Sequence, residues 1–162
     1  MAITKAKKKE ILDEAKSALE GSQSAVFVNF HGLTVEAIDS LRSKLYEEGI
    51  GYKVLKKTLL RIALDDMDYK GEIPPLDGEI ALAYGADLTG PAREVYTFSE
   101  DYKDNISIVG GVFEGIYKNK EEMMEIATIP PTPVLRGMFV NVINSPIQGF
   151  VSVLNQIAEA KA

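Results

Sequence analysis

The segment Ser24–Phe30 reads SAVFVNF, and it indicates the kind of fold to expect from this chain. β-branched and aromatic residues fill the segment, which is the composition of a buried strand. His31 and Gly32 follow, and then Thr34, whose hydroxyl suits the capping position of a helix that continues to Glu48. A buried strand followed directly by a capped helix is therefore the unit to look for in the rest of the chain.

The same alternation continues on both sides of this segment. Apolar residues recur at helical spacing before it, and the runs IGYKVLK, EIALAYG and NISIVGGVF after it have the composition of strands. Pro91 marks the start of one helix, and Asn119 with Glu122 forms a capping box for another. The predicted helices cover residues 4–20, 34–48, 58–66, 91–102 and 119–127, and the predicted strands cover residues 24–30, 50–56, 79–85 and 105–113. We expect an α+β fold, in which helices cover a compact four-stranded sheet, as in a split βαβ or ferredoxin-like variant.

The C-terminal part of the chain has a different composition. Residues 128–133 read TIPPTP, and three prolines in four residues disfavour a helix and stiffen an extended connection. From Gly137 to Ala158 there is no charged residue, but seven Asn, Ser and Gln side chains argue against a membrane span. We therefore expect three parts: a globular domain of residues 1–127, a proline-rich hinge of residues 128–133 and a long helical tail of residues 134–162.

The tail contains a repeat. Phe139–Gly149 reads FVNVINSPIQG and Phe150–Ala160 reads FVSVLNQIAEA, so the offset is eleven residues, or about three helical turns. The helix would carry an apolar stripe of eight side chains: Phe139, Val142, Ile143, Ile147, Phe150, Val153, Leu154 and Ile157. Such a stripe either folds back on the globular domain or binds a partner. The repeat, with Pro146 in its middle, favours two equal docking segments joined at a kink.

Basic residues are concentrated in the N-terminal part, although the whole chain has a net charge of -6. Residues 1–64 contain eleven Lys or Arg against eight Asp or Glu, and residues 65–162 contain seven against sixteen. If the first two strands end at the same edge of the sheet, basic and glycine residues in and after these strand ends could converge on one face as phosphate contacts. These candidates are His31, Gly32, Lys53, Lys56, Lys57 and Arg61, with Lys5, Lys7, Lys8 and Lys9 as a second group. The alternative is an ordinary solvated surface.

The sequence lacks the parts of most catalytic sites. It has one histidine, no cysteine, no phosphate-binding GxxxxGK[ST] loop and no HExxH motif. Without cysteine there is no disulfide and no thiolate zinc site, which is compatible with a reducing cytosol. The charged N-terminal residues do not form a secretory signal, and no uninterrupted apolar run reaches eighteen residues. We therefore expect a soluble protein without catalytic activity, cofactor or metal.

Four stretches, in order and over almost the whole chain, resemble one family. They are FHGLTVEAIDSLRSKL, GYKVLKKTLLRIAL, VGGVFEG and INSPIQGFVSVLNQIAEAKA, and together they are similar to the bacterial ribosomal stalk-base family, large-subunit protein ten. The family usually reads Arg-Gly-Leu-Thr after the first strand, and this chain has His31 in place of the arginine. The family usually reads Lys-Asn-Thr-Leu after the second strand, and this chain has Lys57 in place of the asparagine. Lys56 and Thr58 match the family pattern, which adds Thr58 to the candidate RNA contacts.

This resemblance implies a cytoplasmic protein of the large ribosomal subunit. Its globular domain would bind ribosomal RNA at the GTPase-associated centre, near ribosomal protein eleven, and could also regulate its own messenger RNA. Its tail would anchor dimers of the acidic stalk protein, seven/twelve, which recruit translational GTPases. With two copies of the repeat we expect two dimers. The alternative function is a cytosolic adaptor that self-associates through its tails and binds no RNA.

Overall fold

The computed structural model describes residues 5–67, 69–76, 78–102 and 105–161 of the chain. The chain divides into two compact units, Met1–Ile129 and Pro130–Ala162. In the first unit the elements are α1 (Lys5–Glu20), β1 (Ser24–Asn29), α2 (Val35–Glu47), β2 (Gly51–Val54), α3 (Lys57–Asp65), β3 (Ile80–Gly85), α4 (Gly90–Asp101), β4 (Ser107–Phe113), β5 (Ile116–Asn119) and α5 (Lys120–Ala127). The second unit contains α6 (Thr132–Lys161).

The strands form one antiparallel sheet in the order β2-β3-β1-β4-β5. This arrangement, with covering helices and a long C-terminal helix, confirms the expected α+β class. The sheet has five strands rather than the expected four, because Ile116–Asn119 pairs with β4 after a tight turn. Glu114 and Gly115 in that turn have φ values of 51° and 75°. A four-residue strand beyond such a turn has too short an apolar pattern to be recognised in the sequence.

Helices cover both faces of the sheet, so the globular unit has three layers. Val26 and Val28 of β1 belong to one hydrophobic cluster, together with side chains of α2, α4 and α5. Ala25 and Phe27 point to the other face and join a second cluster with side chains of α1 and α3. The SAVFVNF segment is thus the central strand, and its side chains alternate between two cores.

The helix starts follow the expected capping chemistry. The Thr34 hydroxyl accepts a hydrogen bond of 3.3 Å from the Ala37 backbone N–H, and the Glu122 carboxylate accepts one of 3.0 Å from the Asn119 backbone N–H. Helix α6 starts at Thr132, two residues before the expected boundary. Pro133 is tolerated there because first-turn N–H groups have no acceptor within the helix. The helix continues past Pro146 to Lys161.

Candidate functional site

The strand register brings the ends of β1 and β2 to the same edge of the sheet. Both strands pair antiparallel with β3, with Asn29 opposite Ile80 and Val54 opposite Ala81. The segments that follow these two ends therefore start next to each other across β3. We call the polar and basic residues of these segments the basic edge: His31, Gly32, Lys56, Lys57, Thr58 and Arg61.

His31 and Gly32 form an exposed turn at this edge. The His31 side chain is 83% exposed, and its Nδ1 lies 4.0 Å from a carboxylate oxygen of Glu79. Gly32 has a φ of 81°, which is in the left-handed region that glycine adopts without strain. The turn therefore presents the His31 imidazole and the Gly32 backbone to solvent.

Helix α3 brings the other residues of the basic edge together. Lys57, Thr58 and Arg61 line an open cavity of about 330 Å³, which Pro75 and Leu76 close on the other side. Lys56 is the N-cap residue but makes no side-chain capping bond, and the first turn contains no acidic residue. A helix N-terminus attracts anions, so two lysines there cost about 0.3–1 kcal/mol each. An anion bound at this end would offset that cost.

Lys53 differs from the other predicted contacts because it is already paired within the chain. It lies opposite Leu82 in β3, and its ammonium forms an ion pair and hydrogen bond with the Glu14 carboxylate of α1. A second pair, Lys16 with Asp66 at 2.6 Å, also involves α1. The hydrogen bond to Asp66 holds the pKa of Lys16 above its usual value. The helical periodicity of α1 could not identify Glu14 as the partner of Lys53, because periodicity does not show which side chains of different elements come into contact.

The second group of predicted contacts lies on α1. Lys7, Lys8 and Lys9 are exposed in the first turns of this helix. The Lys5 side chain lies outside the described residues. Within the described ranges no three His, Asp or Glu side chains come together as metal ligands.

The tail helix α6 presents the eight predicted apolar side chains at its surface. Phe139, Val142, Ile143, Ile147, Phe150, Val153, Leu154 and Ile157 are each 48–69% exposed. The helix is also long and apolar enough to span a membrane, with a mean hydropathy of 1.3 in an 18-residue window of Thr132–Ala160. Length and composition alone are weak evidence for a span, because amphipathic helices that bind in a groove of a protein partner can share them.

The fold defines a class of protein with an α+β unit, which presents the basic edge, and a separate helix with exposed apolar side chains. Residues 3–100 match the family model described as Ribosomal protein L10. The chain belongs to the ribosomal protein L10 family. It is a structural, non-enzymatic protein of the large ribosomal subunit, and it is cytoplasmic as part of the ribosome.

Curated relatives match almost the whole chain. The large ribosomal subunit protein uL10 of Dehalococcoides mccartyi is 36% identical over 157 residues, which is 96% of this chain and 89% of the relative. The protein of the same name from Clostridium tetani is 34% identical, over 91% of this chain and 86% of the relative. That of Lactobacillus acidophilus is 33% identical, over 96% and 93%. The similarity therefore includes the tail as well as the globular unit.

Proposed function

We propose that this protein forms the base of the large-subunit stalk. The globular unit binds ribosomal RNA at the GTPase-associated centre, near ribosomal protein eleven, and α6 anchors two dimers of the acidic stalk protein, seven/twelve. Those dimers recruit the translational GTPases. The observation that carries the RNA-binding part is the meeting of the β1 and β2 ends across β3, with an exposed imidazole after β1 and exposed cations after β2.

The basic edge suits folded RNA that is recognised by its backbone. Lys56, Lys57 and Arg61 are exposed cations near the N-terminus of α3, where free N–H groups also favour a phosphate. Arg61 presents a planar fork for a phosphate, whereas each lysine acts as a point charge. Gly32 allows a close approach of the RNA backbone. The same edge would serve binding to the protein's own messenger RNA, which is the route by which it would regulate its synthesis.

The first prediction tests the basic edge. In a variant with Lys56→Gln, Lys57→Gln and Arg61→Gln, we expect weaker binding to the ribosomal RNA fragment and a salt dependence that is flatter by about three units of slope. Each lost phosphate contact removes roughly one unit. Filter binding or fluorescence anisotropy at several salt concentrations measures both quantities.

A matched control removes the same amount of charge elsewhere. The variant with Lys7→Gln, Lys8→Gln and Lys9→Gln should keep most of the affinity and slope, and Lys53→Gln should have a small effect because Glu14 already pairs with Lys53. If the basic-edge variant binds RNA with unchanged affinity at moderate salt, this assignment is wrong. The N-terminal lysines then become the leading candidates.

Apolar burial supports the assignment of the tail. Each copy of the repeat offers about four large apolar side chains, at roughly 1.5–3 kcal/mol each when fully buried. This gives on the order of 10 kcal/mol per copy before the costs of ordering and association are subtracted. From Gly137 to Ala158 the helix has no charged residue, so burial rather than charge attraction must drive the binding of an acidic partner.

The second prediction tests one docking segment per copy. Truncation after Gly149 should leave a complex with half as many stalk-protein chains, two instead of four, in native mass spectrometry. Phe139→Asp should impair the inner segment and Phe150→Asp the outer one, because a buried carboxylate without a partner is costly. These two variants are matched, since each phenylalanine is 67% exposed in the free helix.

Other partner counts would contradict this assignment. Six chains on the intact tail, or none lost on truncation, would show that the repeat does not set the stoichiometry. The competing function, an adaptor that self-associates through its tails, predicts oligomers of the protein alone and no RNA binding. Analytical ultracentrifugation of the purified protein, with and without RNA, separates the two.

A further inference from the structure

Between Gly137 and Ala158, the polar side of α6 consists of uncharged side chains. Asn141, Asn144, Gln148, Ser152 and Asn155 follow one another at spacings of three and four residues and lie along one side of the helix. All five are exposed in the isolated chain. An exposed helix usually has charged residues on its polar face, but here amides and a hydroxyl occupy it. We call these five residues the amide stripe.

One amide of the stripe recurs with the same eleven-residue offset as the apolar residues. Asn144 of the first copy corresponds to Asn155 of the second, whereas Asn141 corresponds to Ser152 and Gln148 to Glu159. Eleven residues rotate a helix by three turns plus about 20°, so equivalent residues point in nearly the same direction. A partner that contacts only the apolar side gives no reason for an asparagine to recur at this position.

The apolar side by itself does not define one position for a partner. At about 100° per residue, the apolar side chains between Val134 and Ile157 extend over roughly 260° of the helix circumference. Similar side chains recur every three or four residues, so a partner displaced by one turn meets a similar surface. Hydrogen bonds lack this tolerance, because a displaced amide loses its partner and the unpaired buried group costs free energy.

We infer that the amide stripe is part of the docking surface and sets the register of the bound dimers. This inference rests on the proposed function, in which α6 binds dimers of the acidic stalk protein. An Asn or Gln amide donates to a carboxylate oxygen and accepts from an N–H group while adding no charge to the interface. Charged residues are depleted at the centre of interfaces, which agrees with a polar face that has none. Asn144 and Asn155 give each dimer the same hydrogen-bonding position.

Isosteric substitutions test the hydrogen bonds. Asn144→Asp and Asn155→Asp replace an amide donor by a carboxylate, which cannot donate to an acidic group and is repelled by it. Isothermal titration of the full chain with purified stalk protein should show about a tenfold or larger rise in Kd at the affected segment. Asn119→Asp is the matched control in the globular unit, at a helix N-cap where Asp serves as well as Asn. It should leave the Kd unchanged.

The register is tested by cross-linking. The chain contains no cysteine, so Val140→Cys and Val151→Cys each provide a single site for a photoreactive label beside the amide stripe. With the stripe intact, both labels should react with the same short segment of the stalk protein. After Asn144→Ala and Asn155→Ala, the products should spread over positions one helical turn apart. Because alanine has a higher helix propensity than asparagine, the spread cannot be attributed to unfolding of α6.

The outcomes separate this inference from the proposed function. If both the affinities and the cross-linked positions are unchanged in the variants, the amide stripe has no role in docking and only the inference is overturned. If the unmodified chain does not bind the stalk protein, the proposed function of the tail is overturned together with the inference.

Discussion

Tyr117 shows how burial of one side chain affects stability across the pH range. Its hydroxyl donates a hydrogen bond of 3.1 Å to the Leu64 carbonyl in a buried environment. Burial disfavours the charged phenolate and raises the pKa of Tyr117 to about 12, with smaller contributions from Tyr69 and Asp65. The folded protein therefore holds the phenol proton more tightly than the unfolded chain, where the pKa is about 10.

The third prediction follows from the sign of this shift. The stabilisation by neutral Tyr117 is complete below about pH 10 and is lost as the pH rises from about 10 to about 12. Tyr117→Phe should lower the free energy of unfolding by about 1 kcal/mol at pH 8, because it removes the hydrogen bond to Leu64. Urea denaturation at several pH values should then show a shallower alkaline decline in the variant than in the wild type.

Tyr46→Phe is the control for this experiment, because Tyr46 is 84% exposed. Its alkaline decline should be the same as that of the wild type. If the free energy of unfolding fell equally steeply with pH in the wild type and in Tyr117→Phe, Tyr117 would ionise as readily in the folded protein as in the unfolded chain.

At the scale of single elements, two helices with a threonine at the N-cap allow a direct comparison. The Thr34 hydroxyl accepts a hydrogen bond from Ala37 at the start of α2, whereas Thr89 at the start of α4 makes no side-chain capping bond. Both residues precede helices that pack on the same hydrophobic cluster. The contribution of the capping hydrogen bond can therefore be measured by comparing two positions of one protein that both have threonine in the wild type.

The fourth prediction uses this pair. Thr34→Ala should lower the free energy of unfolding by about 1 kcal/mol, because it leaves a backbone N–H at the helix start without its acceptor. Thr89→Ala should have an effect of only a few tenths of a kcal/mol, about the size of a neutral surface substitution. Equal losses in urea denaturation would show that the Thr34 hydrogen bond contributes nothing beyond the intrinsic preference for threonine.

Elements with long, regular patterns could be predicted from the sequence, but contacts between elements could not. Residues 34–48 have the apolar spacing of a helix and residues 79–85 the composition of a strand, and the observed α2 and β3 lie within one residue of these bounds. Strand β5 was missed because its four residues pair only after a turn in which Glu114 adopts a positive φ. The pairing of Lys53 with Glu14 was missed because these residues are 39 positions apart and meet only in the folded unit.

The candidate site was predictable to a similar extent. The sequence identified the residues after β1 and β2 and suggested that they share an edge, which the pairing of both strands with β3 bears out geometrically. It could not identify the loop residues Pro75 and Leu76, which complete the cavity beside Lys57 and Arg61. Apolar periodicity carries no information about which loop covers which helix end.

At the scale of the whole molecule, the globular unit has its own complete cores. In chain order, the last buried residues of the two hydrophobic clusters on the sheet are Tyr117 and Ala127. The second unit consists of residues Pro130–Ala162. The globular unit therefore contains what a domain needs to fold independently.

The fifth prediction is that truncation after Ile129 leaves the thermal unfolding midpoint of the globular unit within about 2 °C of that of the full chain, because its cores are intact. Circular dichroism should show loss of helical signal from α6, and differential scanning calorimetry gives the midpoint. RNA affinity should be retained and stalk-protein binding lost. A midpoint lowered by about 5 °C or more would show that the tail contributes to the stability of the globular unit.

The position of β1 in the sheet has a consequence for how the protein is synthesised. β1 is central but early in the chain, and its neighbours β3 and β4 consist of residues 80–85 and 107–113. During translation, a nascent chain that has reached only α3 has an apolar central strand with both edges unpaired, and such edges are prone to wrong association. The tail is translated after all five strands. Its exposed apolar side chains therefore appear only when every strand of the sheet has been synthesised.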